Sequence, residues 1–477
     1  MLFTTLEFAL LVAVTFSLFY IVRNVSAQVG ILLAASIIFY AVSSPWLTLL
    51  LLASAIFTSW ASYEIYKAET ARKRKIIACI GVILNLSLLV FFKYAGLLVG
   101  SIENLMGTSL LSSEWIVILP LPIGISFYTF QGISMLVDTF RDSSDAPQSS
   151  QVYGSGESLG KSLYYGSFYV IFFPQLVAGP VVKAKDFFPQ IRVKLFSEIN
   201  WRLVVHSLIV GYFLKLVVAN NLQNQTFWIK YPYIIGMSAD RAWTLLIGYS
   251  CQIFADFSGY SLIAIGIAAL FGYRLPDNFN FPYLSASVAE FWRRWHISLS
   301  SWLKDYLYIP LGGNRKGSIR TYLNLLIVMV LGGLWHGAAW SYLIWGAYHG
   351  LLLGMERAMG RAGSRMESSP NFIWTWMRYG AVFLLVSLGW SFFKLPDITH
   401  AGLFIFQAFT AWEGALAQKK EIIVVAVYCL PVFLYHLNSK LEFTKHNPRF
   451  VPVAYGLMLY AIIVNSASAD AFIYFQF

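Results

Sequence analysis

The sequence predicts an all-α polytopic membrane protein, and composition, hydropathy and the distribution of charge all point to that fold class. Of its 477 residues, 58% are hydrophobic and only 12% are charged, and the mean hydropathy is +0.63. An average soluble chain carries about 25% charged residues, so this chain lacks the polar side chains needed to cover a water-facing surface of its size. Lipid must therefore replace water over much of that surface.

Long runs without any Asp, Glu, Lys or Arg locate the predicted spans. They cover residues 24–63, 76–92, 321–355, 422–439 and 450–469. A helix needs about 20 apolar residues to cross the hydrocarbon core, so the longest runs must hold two passes. We place a hinge at Ser43, Ser44 and Pro45 and a break at Gly332-Gly333. About ten to twelve helices are expected, some of them re-entrant or interfacial. Strands are not expected, because the apolar runs do not alternate as barrel strands do.

The basic residues indicate orientation. The chain has 34 Lys and Arg against 23 Asp and Glu, a net charge of +11, and they cluster in short connectors. The densest cluster, Lys67–Lys75, is predicted to face the cytoplasm, with Arg23 on the same side and Phe477 on the opposite one. Positive-inside bias explains this charge more simply than a nucleic-acid partner, so none is predicted. The three cysteines give neither a disulfide framework nor a metal-ligand spacing, and no bound metal or cofactor is expected.

Residues 291–304 predict an amphipathic helix lying in the cytoplasmic membrane interface. At 100° per residue, five apolar side chains fall within an arc of roughly 100°, namely Trp292, Trp295, Leu299, Trp302 and Leu303. The remaining positions carry Arg293, Arg294, Ser298, Ser300, Ser301 and Lys304. Cations on such a helix favour the cytoplasmic leaflet. His296 lies at the edge of the apolar arc, where it can face the bundle or the headgroups.

A glycine-rich turn follows this segment. Gly312, Gly313, Asn314 and Arg315 precede Lys316, and backbone amides of such a turn together with two or three cations can hold a phosphate. Composition alone favours a simpler interpretation, a positive-inside loop that contacts lipid headgroups.

Buried ionisable residues supply the catalytic candidates. His336 lies between glycines in an uncharged run, where an imidazole is costly unless it is hydrogen-bonded to a neighbouring helix or serves a function. His349, in the same run, is interpreted as structural. Asp256 can orient a histidine, line a polar channel or cap a broken helix. Because no Ser/His/Asp order, phosphate-binding glycine loop or zinc spacing is present, His336 is the first candidate for acid/base chemistry and His296 the second.

Several motifs together resemble a known family. FWRRWHISLSSWLKDYLYIPLGGNR at 291–315 and LGGLWHG at 331–337, with LPIGISFYTFQ at 121–131 and FFPQLVAGPVVK at 172–183, are similar to the membrane-bound O-acyltransferase (MBOAT) family. The similarity is to its bacterial branch, which acts on alginate, peptidoglycan or teichoic acids. It implies one integral-membrane domain over 1–477, a helical bundle around a central tunnel. It also implies that His336 is the catalytic histidine and His296 the second polar position.

The resemblance also implies a donor and a route for it. The donor would be a cytoplasmic acyl thioester, acetyl-CoA or an acylated carrier protein, reaching the tunnel near the segment 292–315. We assign donor binding to Arg315, Lys316, Asn314 and Trp295. We assign tunnel lining or support to Asp256, Trp335 and Ser298.

The aromatic tail at 472–477 has two interpretations. By composition it is an interfacial belt. By resemblance, Tyr474 carries the acyl group transiently and passes it to a periplasmic serine-hydrolase-like (SGNH) partner, which O-acetylates an exported polysaccharide outside the bacterial inner membrane. Alternatives are D-alanyl or another small acyl group, a transporter or flippase, and a non-catalytic scaffold.

Overall fold

The computed structural model describes residues 1–107, 120–145, 158–177, 179–360, 372–413 and 418–466. The predicted tail motif at 472–477, including Tyr474, lies outside these ranges. Within them no strand is present, and the one β-bridge is isolated, between Phe279 and Trp295. The all-α prediction is therefore confirmed.

The helices are numbered here in chain order. The first eight are α1 Leu6–Ile21, α2 Val25–Ser43, α3 Pro45–Lys67, α4 Ala71–Met106, α5 Ile125–Asp145, α6 Leu159–Ile171, α7 Trp201–Thr226 and α8 Ala239–Leu270. The next eight are α9 Val288–Arg294, α10 Ile297–Leu303, α11 Ser318–His336, α12 Trp340–Met359, α13 Phe372–Lys394, α14 Ile398–Thr410, α15 Lys419–Leu441 and α16 Phe450–Asn465.

Length and hydropathy confirm a polytopic membrane protein. Among the described residues, eight helices are long and apolar enough to cross a membrane. Three shorter apolar helices, α1, α14 and α16, bring the number of apolar helices into the predicted range of ten to twelve. The predicted hinge is confirmed, since α2 ends at Ser43 and α3 begins at Pro45.

The chain forms two compact units, of which the first comprises residues 1–208 and 263–276. Its helix α3 packs against α4, α5 and α6. Polar side chains join these helices where lipid offers no hydrogen bonds. The hydroxyls of Ser62 and Thr139 lie 2.8 Å apart, and Asn85 Nδ2 donates to Thr58 Oγ1 at 3.3 Å. Aromatic rings fill the remaining core, and Phe187 and Tyr273 stack with centroids 5.5 Å apart.

The second unit comprises residues 209–262 and 277–477. Its most extensive helix pair is α11 with α12. The helices approach closely because a Cβ on Gly333 would collide with the Tyr342 carbonyl oxygen, and one on Gly346 with the Met329 carbonyl oxygen. Small residues allow such close contact between helices in membranes. The predicted break at Gly332-Gly333 is wrong: α11 continues to His336, and the chain turns at residues 337–339.

Candidate functional site

The second unit places His296 in a sharp turn. Helix α9 ends at Arg294, α10 begins at Ile297, and His296 between them has φ +45°. This left-handed conformation costs a non-glycine residue about 1–2 kcal/mol, so surrounding contacts must impose it. The predicted continuous helix over 291–304 is therefore wrong.

Asn278 supplies those contacts. Its carbonyl oxygen accepts from Ile297 N at 2.9 Å, and its Oδ1 accepts from Ser298 Oγ at 2.6 Å. Its Nδ2 donates to Ser261 Oγ at 3.0 Å. One amide side chain thus ties the start of α10 to α8, and Ser298, predicted to be a supporting residue, is part of that network. Helical periodicity could not show this, because Asn278 lies far from the turn in sequence.

The turn brings His296 beside His336, the last residue of α11. Their ring centroids are 6.1 Å apart, and both side chains are buried, at 0% and 4% exposure. In the described part of the chain neither ring nitrogen of His296 has a hydrogen-bond partner. A buried polar atom without a partner costs about 1–3 kcal/mol, so both ring nitrogens can form a hydrogen bond with a bound group or a water. The turn lies outside the candidate spans, and burial lowers the pKa of His296 to about 3, so the ring is neutral at pH 7.

Aromatic rings surround His336. The centroids of Trp335, Trp345 and Phe393 lie 5.0, 5.2 and 5.3 Å from that of the imidazole. Trp335 also lies 5.8 Å from His296, so this predicted tunnel residue contacts both histidines. His336 is at the C-terminal end of a 19-residue helix, where the helix dipole stabilises a positive charge that develops on the ring. The surrounding rings thus limit access by water, and the helix terminus stabilises a protonated imidazole.

A narrow cavity of about 100 Å³ borders His336. Its walls are mainly apolar and consist of Trp292, Leu299, Ser300, Leu303, Val328, Met329, Gly332, His336 and Trp345. A single water needs about 10–15 Å³ on this scale, so the cavity has room for about seven to ten water-sized groups, enough for a short acyl group. Gly332 leaves this space open, because a Cβ there would meet Leu303 Cδ1 at 3.1 Å. The neighbouring Gly333 has a different role, in helix packing.

Asn314, Arg315 and Lys316 lie together in the exposed turn before α11. Gly312 and Gly313 adopt positive φ values of 106° and 56°. Asn324, on α11, donates from Nδ2 to the Gly313 carbonyl oxygen at 2.9 Å and fixes the turn to the helix. Asn324 lies 12 helical rises before His336, so the turn it contacts is separated from His336 by about 18 Å along the helix. A compact ligand cannot reach both places, whereas an elongated one can.

The contacts of Trp295 and Asp256 differ from those expected of their predicted roles in donor binding and tunnel support. Trp295 is 1% exposed and packs between Phe291 and Trp390, at centroid distances of 5.5 and 5.0 Å. It therefore has a packing role rather than a surface open to a donor. The Asp256 carboxylate accepts from Lys215 Nζ at 2.6 Å within the protein interior. Helix α8 continues through Asp256, so the alternative in which it caps a broken helix is wrong.

His349 is buried without bordering the cavity. It is 0% exposed, and its ring lies 5.1 Å from Trp345 and 5.2 Å from Trp292 by centroid distance. The structural interpretation of His349 stays a prediction.

Sequence reasoning missed five residues around the site, Lys215, Asn278, Asn324, Trp345 and Phe393. Lys215 had a usable signal, a cation inside an apolar run, which predicts a buried acidic partner. Asn324 is similarly a polar residue in an uncharged run. The other three have no local signal, since their importance arises from contacts between distant segments.

The chain is similar to known proteins over most of its length. The model of the MBOAT, membrane-bound O-acyltransferase, family matches residues 157–395. The chain is 32% identical over 481 aligned residues to the probable alginate O-acetylase AlgI of Pseudomonas putida, covering 94% of each chain. It is 36% identical over 385 residues to the peptidoglycan O-acetyltransferase of Helicobacter pylori, covering 78% of this chain and 71% of that protein. It is 27% identical over 263 residues to the teichoic acid D-alanyltransferase of Bacillus subtilis, covering 53% and 63%. The chain therefore belongs to the membrane-bound O-acyltransferase family and is an acyltransferase.

Proposed function

We propose that this acyltransferase takes an acetyl group from a cytoplasmic thioester and passes it across the bacterial inner membrane for O-acetylation of an exported polysaccharide. The observation that best supports this proposal is the position of His336. Its side chain is buried, at 4% exposure, and lies at the wall of a cavity of about 100 Å³ that suits a short acyl group. The names of the alginate and peptidoglycan relatives support acetyl transfer and a polysaccharide acceptor. Family membership favours an enzyme over a transporter, a flippase or a scaffold.

The chemical step begins with His336 as general base. The imidazole accepts the proton of the Tyr474 phenol while the phenolic oxygen forms a bond to the acyl carbon of the thioester. The carbon–sulfur bond breaks, and the departing thiolate takes the proton from the imidazolium. A phenol has a pKa of about 10 and is almost wholly protonated at pH 7, so the base is needed. His296 orients or polarises the acyl carbonyl.

An acyl-tyrosine preserves much of the transfer potential of the thioester. The leaving thiol has a pKa of about 8.5 and a phenol one of about 10, while an alcohol resembles water, at about 15.7. Transfer from sulfur to the phenol is therefore close to balanced, and the later transfer to a sugar hydroxyl is downhill. A periplasmic serine-hydrolase-like partner accepts the acetyl group from Tyr474 and delivers it to the polysaccharide.

The donor is an elongated thioester, acetyl-CoA or an acylated carrier protein. In this proposal Arg315, Lys316 and Asn314 hold its phosphate, and its flexible arm extends the acyl carbon toward His336. The separation of about 18 Å along α11, from Asn324 at this turn to His336, supports a long donor rather than a small one such as acetyl phosphate. The phosphate of the donor would then bind at the exposed turn, while its acyl group reacts at the buried His336. Donor binding and the chemical step would thus depend on different residues.

Mass spectrometry of the C-terminal peptide after incubation with isotopically labelled acetyl-CoA tests the carrier step. We expect labelled acetyl on Tyr474 in the wild-type protein and none in Tyr474→Phe, with polymer acetylation lost in cells. Tyr460→Phe, at a side chain that is 65% exposed, is the matched control. Persistent polymer acetylation in Tyr474→Phe would reject the tyrosine carrier and favour a direct route, in which His336 activates the acceptor hydroxyl.

A further inference from the structure

The first unit contains a second, larger cavity of about 480 Å³. It opens between the loop 189–200 and the segment that ends α8, and its lining includes Arg192, Lys194, Glu198, Tyr273 and Arg274. Three cations against one carboxylate give this lining a net positive charge. The volume falls in the range of about 300–1,000 Å³ that is typical of small-molecule sites.

Two glutamines hold the backbone of two of the cations. Gln28 donates from Nε2 to the Lys194 carbonyl oxygen and accepts from Lys194 N, both at 2.9 Å. Gln190 accepts from Arg274 N at 2.7 Å and donates to the Arg274 carbonyl oxygen at 3.2 Å. Each glutamine side chain thus forms hydrogen bonds with both the N–H and the carbonyl group of a cationic residue. The cavity is thus preorganised, which lowers the entropy lost when a ligand binds.

The side chain of Lys194 is also fixed. Its Nζ donates to the Gly272 carbonyl oxygen at 2.9 Å and lies 4.6 Å from the centroid of the Tyr273 ring. Burial, followed by the charge of Arg192, lowers its pKa to about 8. A bound anion would offset both effects, so the electrostatics of the cavity favour an anionic occupant.

The guanidinium group of Arg192 remains available to a ligand, and Arg274 is exposed. Arg192 pairs with Glu198 at 3.4 Å, but their side chains are 62% and 40% exposed. Such an exposed pair contributes only about 0.2–1 kcal/mol. A phosphate can displace the carboxylate readily, since guanidinium forms two parallel hydrogen bonds with phosphate.

The cavity lies at an end of the membrane spans. The candidate span α7 begins at Trp201 and α8 ends at Leu270, immediately beside the two lining segments. Phe196 and Trp201 are 54% and 45% exposed, as expected of an aromatic belt at the lipid headgroups. Gln28 also donates to the Val22 carbonyl oxygen at 3.1 Å, which places the cavity beside the Arg23 connector, predicted to be cytoplasmic.

We propose that this cavity binds a phosphate ester at the cytoplasmic membrane surface, with Arg192, Lys194 and Arg274 as its ligands. The phosphate belongs either to the headgroup of an anionic phospholipid or to a soluble phosphate ester. Both ligands present a phosphate group to the three cations, and separate experiments distinguish them.

Lipid binding is measured by native mass spectrometry of the full-length protein, stripped of lipid and titrated with phosphatidylglycerol or with zwitterionic phosphatidylcholine. We expect one tightly retained phosphatidylglycerol and about tenfold weaker retention after Arg274→Gln or Arg192→Gln. Arg202→Gln, an exposed cation on α7 that is not part of the lining, is the matched control. Arg192→Gln removes only a weak surface pair and is expected to fold.

A soluble ligand is tested by thermal unfolding in a phosphate-free sugar detergent with inorganic pyrophosphate as the probe. A rise in Tm that Arg274→Gln abolishes and Arg202→Gln retains identifies a soluble phosphate ester as the source. A rise with phosphatidylglycerol alone identifies the lipid. The proposal is overturned if neither probe binds the wild-type protein, or if the lining variants bind both probes as the control does.

Discussion

The cavity beside His336 should set the length of the acyl group, and Gly332 gives the cleanest way to change it. A Cβ on Gly332 would meet Leu303 Cδ1 at 3.1 Å, a contact that requires the leucine to shift by a few tenths of an ångström. Gly332→Ala therefore narrows the cavity without colliding with backbone. Leu303→Ala removes the opposite wall and widens it.

The size of the effect follows from the small volume. In a cavity of about 100 Å³ one added methyl group takes at least about a tenth of the space. Discrimination by one methylene in an apolar pocket is worth about 1–3 kcal/mol, or 10–200-fold in kcat/KM. We expect Gly332→Ala to lower propionyl transfer relative to acetyl transfer by at least about tenfold, and Leu303→Ala to shift the same ratio in the opposite direction.

The assay measures single-turnover thiol release from acetyl-, propionyl- and butyryl-CoA by purified protein in detergent, because Tyr474 stays acylated when no partner is present. Gly380→Ala is the matched control, since a Cβ there meets no atom within 4 Å. The ratio of kcat/KM values corrects for differences in the amount of active protein. An unchanged ratio in both folded cavity variants would refute the assignment of this cavity to the acyl group.

Three further predictions concern residues around the site. Lys215→Met should destabilise the protein by about 3–5 kcal/mol because it removes the cation that pairs with the buried Asp256 carboxylate, and the double variant Lys215→Met/Asp256→Leu should recover most of that loss in chemical denaturation. Asn278→Ala should lower unfolding stability by about 1–3 kcal/mol and reduce kcat more than it raises the donor KM, because it frees the turn that holds the site. Arg315→Gln should raise the donor KM with little change in kcat, whereas Arg357→Gln, at an exposed cation on α12, should leave both unchanged.

Each of these predictions has an outcome that contradicts it. Full stability of Lys215→Met would mean that the ion pair contributes nothing to folding. A selective rise in KM for Asn278→Ala would place that residue in donor binding instead. Equal kinetics for Arg315→Gln and Arg357→Gln would remove the exposed turn from the donor site.

The sequence was most informative where local chemistry decides the structure. Proline has no backbone N–H to donate and is favoured at the first position of a helix, so the start of α3 at Pro45 was predictable. The uncharged runs likewise located the spans, because burying charge in lipid is costly. Glycine gave a weaker signal: Gly333 serves close packing of α11 on α12, and the chain turns at residues 337–339 instead.

Tertiary contacts decided the rest. The segment 291–304 has the periodicity of one amphipathic helix, yet Asn278 imposes a left-handed residue at His296 and divides it. As a result His296 faces His336 in the interior instead of the membrane surface. Similarly, Asp256 was a clear candidate, but its partner Lys215 lies 41 residues away and no local pattern joins them.

The most direct test of the central claim is acetyl transfer by His336→Gln. The measurement is release of CoA from acetyl-CoA by purified protein, with folding verified by Tm. His436→Gln is the matched control, because His436 is equally buried, at 1% exposure, and does not border the cavity. Loss of general-base catalysis should slow release by about 10²–10⁴-fold in His336→Gln, with near wild-type release in the control. Release at the wild-type rate by a folded His336→Gln variant would contradict the assignment of His336 as the base.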